Sequence, residues 1–240
     1  MQPVPSACGG RQAATRNRTY SLLDHLGKAI VTGAFDHRIF PTEADLAREH
    51  GASRSVIREA VKMLTAKGLL TARARTGTTV QPSTRWNLFD PDVLRWLLER
   101  KFSLDLLNQF TELRIAIEPA AAALAARAAD GAAIAEIQEG FERMAAAEQG
   151  NEDSLEADIA FHLAILRASA NPFYAQFQSV VSTALRTSIR FTNRLEGRTA
   201  SLPQHRAVLH AIERHDAPAA YAAMAALIDD VRMLIQTGDN

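Results

Sequence analysis

Residues 41–80, PTEADLAREHGASRSVIREAVKMLTAKGLLTARARTGTTV, constrain the fold more than any other part of the chain. Thr42 is placed to N-cap a helix, and Asp45, three residues on, completes a capping box. Leu46 and Ala47 are its inward residues, and Gly51 can take the left-handed conformation that ends it. Ser53 then caps a second helix running to about Lys67, in which Ile57, Ala60, Val61 and Leu64 recur at helical spacing as a buried stripe. Gly68 closes that helix. Leu69-Leu70-Thr71 begins a strand, Arg73 to Gly77 is a basic turn, and Thr78-Thr79-Val80 is the return strand.

A capped helix, a glycine turn, a second capped helix and a basic-tipped hairpin, in that order, predict a winged helix-turn-helix. This motif lays one helix in the DNA major groove. Ser53, Arg54 and Ser55 stand at the start of that helix, and Arg58 follows Arg54 one turn later on the same face. Arginine can fork onto the O6 and N7 of guanine, and serine can bond bases or phosphates. The wing residues Arg73, Arg75, Thr76 and Gly77 suit phosphate or minor-groove contact. An isolated arginine pair would more often be a solvated helix face; the ordered run of elements favours DNA.

The formal net charge is zero, but it is unevenly spread. Residues 1–85 carry 13 Lys and Arg against 6 Asp and Glu; residues 86–240 carry 14 against 21. A basic N-terminal part is the footprint of a nucleic-acid binder, and an acidic remainder stays off phosphates. The single cysteine, Cys8, excludes an intrachain disulfide and suits a reducing compartment. No apolar run reaches the length of a membrane span. Residues 1–17 hold Pro, Gly, Ser and Arg without an apolar h-region, and read as a disordered arm rather than a signal peptide. A cytoplasmic protein with access to DNA is expected.

The expected organisation is this arm, a DNA-binding domain at 18–81, a linker at 82–90 and an all-helical domain at 91–236. In the first helix, near 19–33, Leu22, Leu23, Leu26, Ile30 and Val31 face inward. From Asp90 onward apolar residues recur at three and four. Helices are expected near 91–100, 103–129, 131–149, 152–169, 172–194, 201–215 and 217–236, broken at Gly150, Asn171-Pro172, Gly197 and Asp216. Short breaks between long amphipathic helices imply an antiparallel bundle, so the fold class is mainly α.

Several polar residues fall on the helices of this bundle. Asp158 and His162 are four apart and point the same way; His205 lies on a later helix. One carboxylate and two imidazoles suit zinc, nickel or manganese, yet an Asp/His pair at this spacing is more often an exposed or capped polar pair. Arg114 and Glu118 share a face just before Pro119, which frees the Ile115 carbonyl. Arg114 could hold a carboxylate bidentately or simply pair with Glu118. Arg186 and Arg190 repeat the spacing, as do Arg194 and Arg198 nearer a loop.

The segment SRSVIREAVKMLTAKGLL, with GTTV after it, resembles the GntR family of bacterial regulators. ELRIAIEPAAAALAA, EADIAFHLAILRASANP and QHRAVLHAIERHDAPAAYAAM resemble its FadR-type (FCD) all-helical effector domain, so that the likeness spans about residues 20–236. WNLFDPDVLRWLLE looks closest to members that regulate sugar-acid catabolism. The resemblance implies a homodimer on double-stranded operator DNA, released by an effector. Many members hold a divalent metal with one Asp and three His; these fall on Asp158, His162, His205 and a position where this chain has Leu227, which cannot ligate, so that the resemblance implies either a three-residue site completed by water or effector, or no metal. An Arg at the position of Arg114 often binds effector carboxylate in the family. Ala44 stands where relatives often have a DNA-contacting polar or basic residue.

A repressor released by a small carboxylate, a sugar acid, is therefore expected. Arg114, Glu118, Asp158, His162, Arg186 and His205 are the candidate effector residues, and Asp158, His162 and His205 the candidate metal ligands. A fatty-acyl, aromatic-acid or dicarboxylic-acid sensor is the alternative within this class. A metal-dependent hydrolase is the alternative outside it, because an open metal position could activate water. No general base stands at a telling spacing, and such an enzyme has no use for a wing.

Overall fold

The computed structural model describes residues 8–36, 38–73, 77–100, 103–195 and 201–237. The chain divides into two units, Met1–Lys101 and Phe102–Asn240.

The first unit contains α1 (Cys8–Val31), α2 (Glu43–His50), α3 (Arg54–Ala66), β1 (Leu70–Arg73), β2 (Gly77–Val80) and α4 (Pro91–Leu97). Thr42 caps α2, its hydroxyl accepting from the Asp45 amide at 3.2 Å and donating to Asp45 Oδ2 at 2.6 Å. Gly51 ends the helix at φ 56°. The stripe on α3 is buried as expected, joined by Val56, and packs with the inward residues of α1. Gly68 follows at φ +77°, and a β-carbon there would stand 2.3 Å from the Arg85 carbonyl oxygen, so only glycine fits this turn. β1 and β2 pair antiparallel, from Leu70 opposite Val80 to Arg73 opposite Gly77.

Two expectations are corrected here. The arm expected at 1–17 is helical from Cys8 onward, because Arg11, Gln12, Ala13, Ala14 and Arg16 favour helix and extend it back from the packed part of α1. The boundary expected after the 82–90 linker falls later: α4 packs on α1 within the first unit. Trp96 is only 1% exposed and covers Gly27, and its Nε1 donates to Asp24 Oδ1 at 2.8 Å. The segment before α4 is folded back too. The Asn87 amide donates to the Lys67 carbonyl at 2.9 Å, and Lys67 Nζ meets both oxygens of Asp90, the N-cap of α4, at 2.8 Å.

The second unit is a helical bundle of α5 (Leu104–Ala128), α6 (Gly131–Glu148), α7 (Ser154–Ala168), α8 (Pro172–Ala175), α9 (Gln178–Leu195), α10 (Leu202–Glu213) and α11 (Ala217–Thr237). Asp130, Asp153 and Asn171 cap α6, α7 and α8 with their side chains. The single helix expected at 172–194 is broken at Gln176–Phe177 into α8 and α9. Pro119 lies inside α5 without ending it, since packing against α11, α7, α9 and α10 outweighs one lost backbone bond. Helix α7 is enclosed by α5, α6 and α9. Gly140 lets α6 approach it closely; a β-carbon there would stand 2.9 Å from Phe161 Cα. Among the described residues no helix is long and apolar enough to cross a membrane.

Candidate functional site

Helix α3 presents its start to solvent. Ser53 spends its hydroxyl oxygen on the cap, accepting from the Val56 amide at 3.4 Å, and lies 2.9 Å from Ser55 Oγ. Ser53, Arg54, Ser55 and Arg58 are all exposed. Arg58 Nε lies 3.6 Å from Glu43 Oε2, a solvent-facing pair that a phosphate can displace at little cost. Among the described residues Arg54 has no ion-pair partner. The backbone of Arg73 pairs with Gly77, whose φ of +76° favours glycine; Arg75 and Thr76 lie outside the described residues.

The bundle buries a polar cluster. Arg114, Glu118, Asp158, His162 and His205 are each at most 4% exposed. Arg114 Nε donates to Glu118 Oε1 at 2.5 Å, and the other oxygen of that carboxylate, Oε2, meets His162 Nδ1. His205 Nδ1 lies 2.8 Å from the Ser201 carbonyl oxygen. A carboxylate and a carbonyl only accept, so both imidazoles carry a proton on Nδ1 and, in the neutral ring, turn an Nε2 lone pair inward. These two nitrogens and Asp158 Oδ1 converge, with all three ligand atoms within 4.8 Å of one another. His205 Nε2 is 3.0 Å and His162 Nε2 3.7 Å from Asp158 Oδ1. None of the three atoms has a hydrogen-bond partner, and neither does Arg114 Nη2.

Four orphaned buried polar atoms in one place are costly unless something pairs them. Three of them form a donor set that fits a divalent ion, each imidazole held through its other nitrogen in the manner of metal-binding histidines. Phe161 seals the group, with its ring edge-on to His205 and His162 at 5.1 and 5.8 Å. Electrostatics favour an ionised carboxylate. Burial pushes the Glu118 carboxyl up, but the charge on Arg114 and the hydrogen bonds from His162 and Arg114 outweigh it and hold it at about 2.

The cluster differs from the expected effector set in one member. Arg186 is not part of it: its guanidinium forks onto Glu156 at 2.5 and 3.0 Å, on a half-exposed surface of α7. Glu118 is part of it, but both its oxygens are already engaged. The Arg114–Glu118 pair is fully buried rather than a surface salt bridge. Ser201, Phe161 and Glu156 were not anticipated, and only Phe161 had a signal, its place beside His162. Leu227 is 5% exposed in the apolar core of the bundle.

A winged helix-turn-helix joined to a helical domain with a buried polar cluster defines a ligand-responsive type of DNA-binding transcriptional regulator. Residues 21–80 match the bacterial regulatory proteins of the gntR family, and residues 109–230 match the FCD domain. The chain is 35% identical over 219 residues to the galactonate operon transcriptional repressor of Escherichia coli K12, covering 89% of this chain and 95% of that one. It is equally 35% identical over 219 residues to the HTH-type transcriptional regulator YieP of the same organism, covering 90% and 94%. Lar of Listeria monocytogenes has the same fold at a TM-score of 0.61 and 17% identity, over 98% of this chain and 99% of that one. The chain belongs to the GntR family, with an FCD domain, and is a regulator of transcription rather than an enzyme.

Proposed function

We propose that the chain is a cytoplasmic, homodimeric repressor whose hold on a palindromic operator is released by a polyhydroxylated carboxylate, a sugar acid of the galactonate type. The observation that carries this reading is the buried juxtaposition of an unpaired Arg114 Nη2 with the three unpaired ligand atoms of Asp158, His162 and His205. Arginine supplies the donor for a carboxylate, and the cluster beside it suits hydroxyl and carboxylate oxygens. An acyl chain or aromatic ring would leave these atoms unpaired. The similarity to a galactonate operon repressor supports the same reading.

Asp158, His162 and His205 would hold one divalent ion, zinc, nickel or manganese. Such an ion, when bound, supplies a Lewis-acidic charge for the oxygens of the effector. The chain itself orients both imidazoles through Nδ1, seals the cluster with Phe161 and aims Arg114 at the carboxylate. One recognition helix per chain reads one half-site, so a palindrome needs two chains. The effector must favour one arrangement of the dimer over another to change operator affinity.

Operator affinity with and without galactonate-type acids, for wild type and Arg114→Ala, tests this. Wild type should release DNA with the acid; the variant should bind DNA and ignore it. Removing Arg114 strips Glu118 of a charge partner, so the variant is assayed below its melting temperature. Release of wild type only by acyl-CoA or aromatic acids would overturn the sugar-acid reading. A normal response of Arg114→Ala to the acid would overturn the clamp.

A further inference from the structure

We infer that Glu118 is a positioning residue that fixes the ring tautomer of His162, and so decides whether the cluster presents a lone pair or an N–H. The inference rests, for its consequence on metal, on the metal reading above; the tautomer itself does not depend on it. Glu118 lies on α5 and His162 on α7, and they meet in a region where both are 1% exposed. Arg114 Nε, 2.5 Å from Oε1, keeps the group a carboxylate. Oε2 faces His162 Nδ1, and a carboxylate can only accept. The single ring proton of neutral His162 must therefore sit on Nδ1.

The alternative has a different consequence. An unconstrained imidazole favours its proton on Nε2. In this chain that N–H would point toward Asp158 Oδ1, 3.7 Å away, and turn two of the three convergent ligand atoms into a donor–acceptor pair. A divalent ion needs lone pairs at both sites. Glu118 thus acts on the cluster without being one of its ligands. Its second bond, to Arg114, places the guanidinium beside the same cluster and leaves Nη2 without a partner. His205 has an independent anchor in the Ser201 carbonyl, so the effect of Glu118 is confined to His162.

The test is ring-nitrogen NMR of the metal-free full-length protein labelled at histidine, with His162 assigned by loss of its signals in His162→Gln. Wild type should show Nδ1 protonated and Nε2 bare. In Glu118→Ala the proton should move to Nε2, and zinc affinity, read by competition with a chromophoric chelator, should fall about 10–100-fold. Glu118→Gln keeps the shape and one acceptor oxygen; it should give a smaller loss and guards against Glu118→Ala failing to fold. A wild-type His162 protonated on Nε2 would overturn the proposal. So would folded Glu118 variants with the wild-type tautomer and wild-type zinc affinity. A wild type with the expected tautomer that binds no zinc, nickel or manganese would sink the metal reading and leave the positioning role standing.

Discussion

The indole of Trp96 lies against Gly27 so closely that a β-carbon on the glycine would stand 2.2 Å from Cη2 of the ring. In an exposed helix, Gly→Ala is stabilising by roughly 0.5–1 kcal/mol. Here the sign should reverse, and Gly27→Ala should destabilise the first unit by about 1–3 kcal/mol through overpacking. Thermal unfolding followed by tryptophan fluorescence measures this. An unchanged or raised melting temperature would remove Trp96 from Gly27, and with it α4 from the first unit.

Acid should loosen the same unit. The bond from Trp96 holds the Asp24 carboxyl below its ordinary value of 3.8, against burial and with help from Arg95. Burial raises Asp92, but Lys67 and Arg95 bring it below 3.8 as well. Groups lowered on folding contribute stability above their unfolded values and lose it as pH falls through the folded ones. Melting temperature should therefore drop below about pH 4, and the drop should be shallower in Asp24→Asn. Lys67, raised above 10.5, adds no slope in this range. Equal slopes for variant and wild type would contradict the assignment.

Arg54→Ala should cost about 1–3 kcal/mol of operator binding and relax base preference at one position in each half-site. Selection of binding sequences by wild type and variant reads both effects. Wild-type affinity and preference in the variant would mean that the start of α3 does not read bases.

The wing is expected to act through charge. Replacing Arg73 and Arg75 together should weaken binding to all sequences and flatten the salt dependence by about one to two units per chain. A salt slope equal to wild type would place the hairpin tip off the DNA.

Leu227 stands where the family resemblance implies a fourth metal ligand, and it is buried in the core of the bundle. Leu227→His should lower the melting temperature of the metal-free protein, because a polar ring replaces an aliphatic side chain. Zinc should then raise that temperature by more than it raises the wild type, because a tighter ligand stabilises the native state further. Equal zinc-dependent shifts would mean that position 227 does not reach the cluster.

What was legible from sequence was mostly local. Ser53 and Thr42 announce their helices because a cap acts within three residues. The α3 stripe and the α1 leucines show through the helical period, and Gly150, Asn171-Pro172 and Asp216 mark breaks because their backbone preferences do. Pairings between distant segments leave no such trace. Nothing near Trp96 points to Gly27, so α4 read as part of the bundle. Nothing near Arg186 points to Glu156 on another helix. The break at Gln176–Phe177 carries no Gly or Pro. Asp158 and His162 were visible as a pair on one face, but that Glu118 would cross from another helix to hold His162 was not.

Lys67, at the foot of α3, meets Asp90 and Asp92 at 2.8 Å each, with its side chain 13% exposed. A basic residue there could otherwise attract any phosphate, whatever the bases beside it. Two carboxylates mute it, leaving Arg54, Arg58 and Lys62 as the exposed basic residues of the helix. A recognition helix whose C-terminal lysine is silenced in this way would gain less from lying along a phosphate backbone in the wrong register.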